Sequence, residues 1–256
     1  MAEFITTERR DNGVELIRFN RPPMNALSAE LLTEFADHVE GLATDDDLKA
    51  VVLAGNDRTF AAGAEISQIR TETDRLIGAF HRAYDALEAI PRPVIAAIAG
   101  FALGGGLEAA LACDLRLAAE NARLGVPEIL LGVFPGAGGT QRLSRLIGPA
   151  RAKDLLWTGR QVRPDEALAM GLVDRVVPAE GYLDAALDWA ASFASGAVVA
   201  MGLAKRAVNG GLDGPLADGL TMERTLFRQV LDTEDAAAGI QSFFDHGPGK
   251  AVFSGR

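Results

Sequence analysis

Strand, glycine-rich turn, helix is the order read twice between residues 49 and 112. It predicts an α/β fold with a mainly parallel sheet. Two continuous apolar runs carry this expectation: Lys49–Ala54 (KAVVLA) and Val94–Ile98 (VIAAI). Strands covered on both faces read this way, whereas half-exposed strands alternate. With 256 residues, 48% of them hydrophobic, the chain is long enough to bury a sizeable core.

Taken in order, Phe4–Arg9 reads as a strand and Val14–Asn20 as its partner, because Asp11-Asn12-Gly13 between them is a hairpin signal. The prolines of Arg21-Pro22-Pro23-Met24-Asn25-Ala26-Leu27 bias their predecessors away from helix, so this segment is extended. Ser28 is placed to cap a helix whose Leu31, Leu32, Phe35, Val39 and Leu42 recur at helical spacing. Asp45-Asp46-Asp47 reads as a solvated loop, and no metal site is expected. After the first buried-type strand come small residues, Phe60-Ala61-Ala62-Gly63-Ala64-Glu65-Ile66. A single long helix is expected from Thr71 to Ile90, stopped by Pro91-Arg92-Pro93. From Gly148 onward the pattern is mostly helical. The segments are 149–158, 164–170, 183–193, 198–208, 216–231 and 234–244, with a strand-like Val173–Val177 and with Asp232 or Thr233 before the last helix. Trp157 and Trp189 are expected as core anchors. The boundaries expected are 1–195 for a catalytic core and 196–256 for an appended helical region.

The middle of the chain, Val94–Thr140, holds the candidate chemistry. Gly104-Gly105-Gly106 precede Leu107-Glu108-Ala109-Ala110-Leu111-Ala112, a run of good helix formers, so the glycines sit where a strand becomes a helix. Free backbone N–H groups and a partial positive charge gather there, which suits an oxygen that turns negative during a reaction. Two carboxylates follow the turn in sequence, Glu108 and Glu128, and then a second glycine-rich loop, Pro135-Gly136-Ala137-Gly138-Gly139. From the residues alone three other readings stand. The glycines could form a plain tight turn. Gly104-x-Gly106-x-x-Ala109, with Glu128 about 20 residues on, matches a dinucleotide-binding fingerprint and so a nucleotide-binding oxidoreductase. Val94–Cys113 passes a crude membrane-span test.

Charge narrows the classes. The net charge of −10 argues against nucleic acid and against an anionic membrane surface as partners. Cys113 is the only cysteine, which excludes an intramolecular disulfide and a cysteine-rich metal site. The N-terminus, Met1-Ala2-Glu3-Phe4, lacks the basic-then-apolar pattern of a signal peptide, so a cytoplasmic protein is expected.

Several ordered motifs make the chain resemble the enoyl-CoA hydratase/isomerase, or crotonase, family, and most of all an enoyl-CoA hydratase. They are Arg21-Pro22-x-x-Asn25-Ala26-Leu27, Phe60-Ala61-Ala62-Gly63-Ala64-Glu65-Ile66, Gly104-Gly105-Gly106-Leu107-Glu108, Pro127-Glu128-Ile129-x-Leu131-Gly132, Pro135-Gly136-Ala137-Gly138-Gly139-Thr140-Gln141-Arg142-Leu143 and Ala167-x-x-x-Gly171-Leu172-Val173. The resemblance implies a crotonase-like spiral of ββα units followed by a C-terminal helical trimerisation subdomain, with trimers often paired into hexamers. It implies acyl-CoA thioester substrates, coenzyme A being part of the substrate and no cofactor permanently bound. The reaction implied is a hydro-lyase one, reversible addition of water to a trans-2-enoyl-CoA in fatty-acid β-oxidation; Δ3,Δ2-enoyl-CoA isomerase is the rival within the family.

By the same resemblance the backbone N–H groups of Ala64 and Gly105 hold the thioester oxygen, Glu108 and Glu128 share the proton transfers, and Gly136 helps hold the water. Arg21, Ala26, Ala62, Glu65, Ile66 and Ser67 line the CoA channel. Lys250 and Phe253 meet the adenine end, sometimes from a neighbouring subunit. Two departures stand out: Glu65 replaces the usual aspartate and Ser67 a common lysine. Of the two acids, Glu108 beside a helix N-terminus is expected to be charged and to activate water. Glu128, among Pro127, Ile129 and Leu130, is expected to be neutral and to donate a proton.

Overall fold

A computed structural model of the chain describes residues 4–256; Met1–Glu3, where the reading of the N-terminus begins, lie outside the described residues. The hairpin of β1 (Ile5–Arg9) and β2 (Val14–Phe19) leads into helix α1 (Ala29–Leu42). Ser28 caps α1 as expected, its hydroxyl accepting from Leu31 N at 3.3 Å. Two units then follow in which a longer strand, a three-residue strand and helix succeed one another. The first is β3 (Ala50–Ala54), β4 (Thr59–Ala61), α2 (Ile66–Thr71) and α3 (Thr73–Ala89). The second is β5 (Val94–Ile98), β6 (Phe101–Leu103) and α4 (Gly105–Leu111). A third unit has β7 (Leu115–Ala119) and β8 (Arg123–Gly125), but a 3-10 turn, Pro127–Leu131, takes the helix's place.

The longer strands and the three-residue β9 (Arg175–Val177) build one six-stranded sheet in the order β1-β2-β3-β5-β7-β9, and only the β1–β2 pair is antiparallel. The other three short strands make a second, all-parallel sheet, β4-β6-β8. This is the spiral of ββα units. The second sheet escapes a periodicity reading, because three residues are too few for an alternation to register. The long helix expected from Thr71 to Ile90 is α3, and the short α2 precedes it, divided from it at Glu72, whose φ of −140° and ψ of 37° are not helical.

The apolar runs have the reason anticipated for them. Val51 and Leu53 of β3 face a core shared with Phe35 of α1 and Tyr84 of α3, while Ala50, Val52 and Ala54 face Ala186, Trp189 and Ala190 of α8 (Tyr182–Ala194). Both faces of the sheet are therefore covered. Cys113 is a buried thiol whose proton affinity burial pushes up to about 12, so it behaves as a small hydrophobe. Trp189 is buried as expected, with the Arg175 guanidinium 3.8 Å from its ring centre. Trp157 is not: it is 71% exposed. On α6 (Pro149–Thr158), which follows α5 (Gly139–Ile147), the buried face carries Ala152 and Leu155, and a residue two positions past Leu155 points to the opposite side.

Beyond α7 (Pro164–Met170), β9 and α8, the chain breaks at residues 195–197 and continues as α9 (Val198–Leu212), α10 (Leu216–Leu231) and α11 (Glu234–His246). Gly202 lets α9 approach Pro91 closely, and Lys205 pairs with Asp114 at 2.9 Å, so α9 is tied to the core. Thr233, rather than Asp232, caps α11 by accepting from Ala236 N at 3.1 Å. The tail folds back on that end, where buried Asp235 accepts from the Ser254 and Gly255 amides at 2.7 and 2.8 Å. Leu212, Leu216, Phe227 and Phe244 on these helices lie exposed.

Candidate active site

Two turns meet at the C-terminal edge of the small sheet. After β4 the chain turns through Gly63, at φ +102°, and then bridges Leu27: Leu27 N donates to Gly63 O at 2.8 Å and Glu65 N donates to Leu27 O at 2.9 Å. Alternate residues of an extended segment face opposite ways, so the Ala64 N–H points away from Leu27. It finds no acceptor among the described residues. After β6 the chain turns through Gly104, at φ +52°, and α4 begins at Gly105. The Gly105 N–H opens the helix and likewise has no acceptor among the described residues.

The turns touch. A β-carbon on Gly63 would lie 3.9 Å from Gly105 N, and one on Gly104 would lie 3.7 Å from Gly63 Cα. The Gly105 peptide is fixed from behind, where the buried Tyr84 hydroxyl donates to its carbonyl at 2.6 Å. A side chain at Gly105 would press on the Phe80 ring at 2.9 Å, and one at Gly106 would overlap the Ala61 carbonyl. The two free amides anticipated at Ala64 and Gly105 are thus brought together, on glycine turns that tolerate no bulk.

Glu108 lies one turn into α4 and is 3% exposed. Its Oε1 accepts from Ala137 N at 2.8 Å and from Gly139 N at 2.7 Å. Burial leaves its proton affinity above the ordinary carboxylate value, and these two amides, then the Arg142 charge, offset part of that rise. The amides that favour the charged form therefore come from the 135–139 loop, a partner set that reading the helix end alone does not supply. Glu128 sits in the 3-10 turn, which ends at Gly132 in the left-handed region with φ +76°. Its Oε1 is 2.7 Å from where a Gly104 β-carbon would be, and its Oε2 is buried without a partner. Burial pushes its carboxyl up to about 7, and the Glu108 charge adds to the rise.

The remaining expected residues divide into two groups. Arg21 Nη1 donates to Ala26 O and to Glu65 Oε2, both at 2.8 Å, and Ser67 Oγ donates to Glu65 Oε1 at 2.9 Å. Ala62 N donates to Met24 O, and Ile66 is 58% exposed. These residues form one wall beside the Ala64 turn. The Arg21 pair, with Ser67, also holds the Glu65 carboxyl below the usual range, so the longer acid forms a close ion pair with no stretched contact. Gly136 is exposed, with open space where a side chain would go, in the loop that serves Glu108. No hydrogen bond or ion pair ties Lys250 or Phe253 to this wall among the described residues. Phe253 packs near Gly239 of α11, and Gly255 lies against Val198 and Lys49. Ala137, Gly139, Tyr84 and Phe80 are the site residues that sequence reasoning missed; the loop motif at 135–139 was the one available signal for the first pair.

A family model described as enoyl-CoA hydratase/isomerase matches residues 9–255. The chain belongs to the enoyl-CoA hydratase/isomerase family. It is 42% identical over 239 residues to a Mycobacterium bovis protein described as "Probable enoyl-CoA hydratase echA8", covering 92% of this chain and 93% of that one. It is 40% identical to the short-chain-enoyl-CoA hydratase of Clostridium acetobutylicum, covering 92% and 93%. The crystal structure of an enoyl-CoA hydratase from Bacillus anthracis matches with a TM-score of 0.93 at 37% identity, covering 99% of this chain and all of that one.

For this crotonase-fold family member the oxidoreductase reading fails on geometry. The fingerprint acid should end a second strand of a βαβ unit, whereas Glu128 lies in a 3-10 turn with its carboxylate against Gly104. The span reading fails too: residues 94–113 divide into β5, β6 and α4, and among the described residues no single helix is long and apolar enough to cross a membrane.

Proposed function

We propose that the chain is a hydro-lyase that adds water reversibly across the double bond of a trans-2-enoyl-CoA, giving a 3-hydroxyacyl-CoA. One observation carries this reading: a buried carboxylate, Glu108, and a half-buried one, Glu128, in unlike environments beside two unbonded amides on touching turns. The thioester oxygen accepts from the Ala64 and Gly105 N–H groups. Each such donor is worth about 2.7–4 kcal/mol as the oxygen becomes an enolate. Glu108, with Oε1 occupied by the loop amides, has Oε2 left to take a proton from water. The water oxygen bonds to the β-carbon, and the C=C electron pair moves toward the thioester. Glu128 then delivers its proton to the α-carbon. Glu108 ends protonated and Glu128 charged, and proton exchange restores both; dehydration runs the steps backwards. A carboxyl poised at about 7 is protonated in a large fraction of molecules at neutral pH, which suits a proton donor. Isomerisation of the double bond needs only one carboxylate, so the amides spent on Glu108 favour hydration.

Arg21, Ala26, Ala62, Glu65, Ile66 and Ser67 take the pantetheine and nucleotide arms of coenzyme A, which enters as part of the substrate and not as a resident cofactor. Gly136 offers its amide to the water. The exposed apolar residues of α9–α11 pack against other copies in a trimer or hexamer, from which a neighbour's Lys250 and Phe253 reach the adenine. The reaction belongs in fatty-acid β-oxidation, and a reducing cytoplasm suits the single buried thiol. The test is hydration of crotonyl-CoA, followed as loss of the conjugated enoyl absorbance. Glu108→Gln and Glu128→Gln are expected to abolish most of it; wild-type rates in either variant remove that residue from the chemistry, and an inactive wild type across a panel of chain lengths overturns the reading.

A further inference from the structure

The 135–139 loop carries both amides that orient Glu108, yet no strand or helix contains those residues except Gly139, the first residue of α5. Gly136 has open space around it and Gly138 is at φ +103°. The loop's main side-chain tether is Arg142, one turn into α5. Its Nη1 donates to Ala137 O at 3.2 Å. The rest of the guanidinium is braced on α3: Nε and Nη2 donate to Glu88 Oε2 at 2.9 and 2.6 Å, and Nη2 to Asp85 Oδ1 at 3.1 Å. The Arg142 side chain is only 19% exposed, so solvent screens this cluster less than an open surface pair. Glu88 stands one helical turn from Tyr84, which holds the Gly105 carbonyl. One helix thereby supports both halves of the site, the amide that meets the thioester and the loop that aims Glu108.

We propose that Arg142, braced by Glu88 and Asp85, is a positioning residue that clamps the Ala137 carbonyl and so keeps the Ala137 and Gly139 amides on Glu108. The proposal rests on the hydratase reading for its kinetic consequence, though not for its structural one. The guanidinium also acts through its charge. The titratable groups facing Glu108 are Arg142 from α5, His81 and Tyr84 from α3, and Glu128 from the 3-10 turn; β4 and β6 bring none. Of these, Arg142 contributes the larger favourable charge. A planar fork is required because one group must span a carboxylate and a carbonyl; lysine supplies the charge without the fork.

The experiment pairs steady-state hydration of crotonyl-CoA with titration of the Glu108 carboxyl by carbon NMR, the signal being identified by its loss in Glu108→Gln. In Arg142→Gln, kcat is expected to fall on the order of 10- to 100-fold, KM to stay within about twofold, and the Glu108 titration to move upward. Arg142→Lys is expected to return the titration toward wild type while recovering kcat only in part. Glu88→Gln, which removes the brace but keeps the guanidinium, is expected to give a smaller loss of kcat, and it decides the matter if Arg142→Gln does not fold. A wild-type kcat with an unmoved titration in Arg142→Gln overturns the proposal. So does a loss that tracks melting temperature alone, with the titration unmoved and no partial recovery by lysine. If wild type hydrates no enoyl-CoA yet the Glu108 titration still responds to Arg142→Gln, the clamp stands and the hydratase reading falls.

Discussion

Glu108 and Glu128 share a side chain and a neighbourhood, and differ in what the backbone offers them. Burial raises both proton affinities. Glu108 meets two loop amides, whereas Glu128 Oε2 is buried with no partner among the described residues. Two hydrogen bonds to a charged form favour ionisation; a desolvated oxygen favours the neutral acid. The division between base and acid therefore lies in the surroundings of each carboxyl and not in its identity.

The largest test removes one side of the pair at a time. Glu108→Gln and Glu128→Gln are each expected to lower kcat for crotonyl-CoA by on the order of 10²–10⁴-fold. If the pair acts as a unit, the double variant loses little more than either single one.

A sharper test erases the difference without touching either carboxyl. A β-carbon at Gly139 would lie 2.9 Å from Glu108 Oε1 and 2.8 Å from Pro135 Cβ. Gly139→Ala is expected to displace the carboxylate, lowering kcat on the order of 10- to 100-fold while leaving substrate affinity nearly unchanged. A parallel fall in affinity would show that the loop serves binding instead.

pH separates the two acids next. Hydration needs Glu128 protonated, so kcat is expected to fall as pH rises through about 7, and Glu128→Gln is expected to lack this limb. Stability follows the same sign. A carboxyl whose folded value lies above its unfolded one, about 4.3, stabilises the fold fully at low pH and loses that contribution between about 4.3 and about 7. Glu128→Gln, which stays neutral, is therefore expected to melt higher relative to wild type at pH 8 than at pH 4. Equal differences at both would mean that Glu128 is not held neutral.

The smallest effect falls on the oxyanion side. Tyr84→Phe removes the O–H donated to the Gly105 carbonyl, which keeps its place as an acceptor in the α4 ladder, so a cost of about 0.5–1.5 kcal/mol in stability is expected. The amide of Gly105 is still present, so kcat is expected to drop less than in either glutamate variant.

Much of this was legible in the residues. The buried strands, the Ser28 and Thr233 caps, the glycine turns at 63 and 104–106 and the candidate acids all follow from local rules of periodicity, capping and turn geometry, and the ordered motifs pointed to the family. The three-residue strands of the small sheet and the exposure of Trp157 did not follow, because short segments carry no period and an aromatic residue does not announce which face of its helix is buried.

What the sequence determined by itself was which segments become strands, turns and helices, and which residue types could carry acid, base and anion-holding chemistry, since these depend on neighbours a few positions away. Only the tertiary structure decided that Ala137 and Gly139, 29 and 31 residues along the chain, aim their amides at Glu108 while Glu128 Oε2 receives none. Proton affinity inside a protein depends on desolvation and on the donors within hydrogen-bond reach, and chain packing sets both.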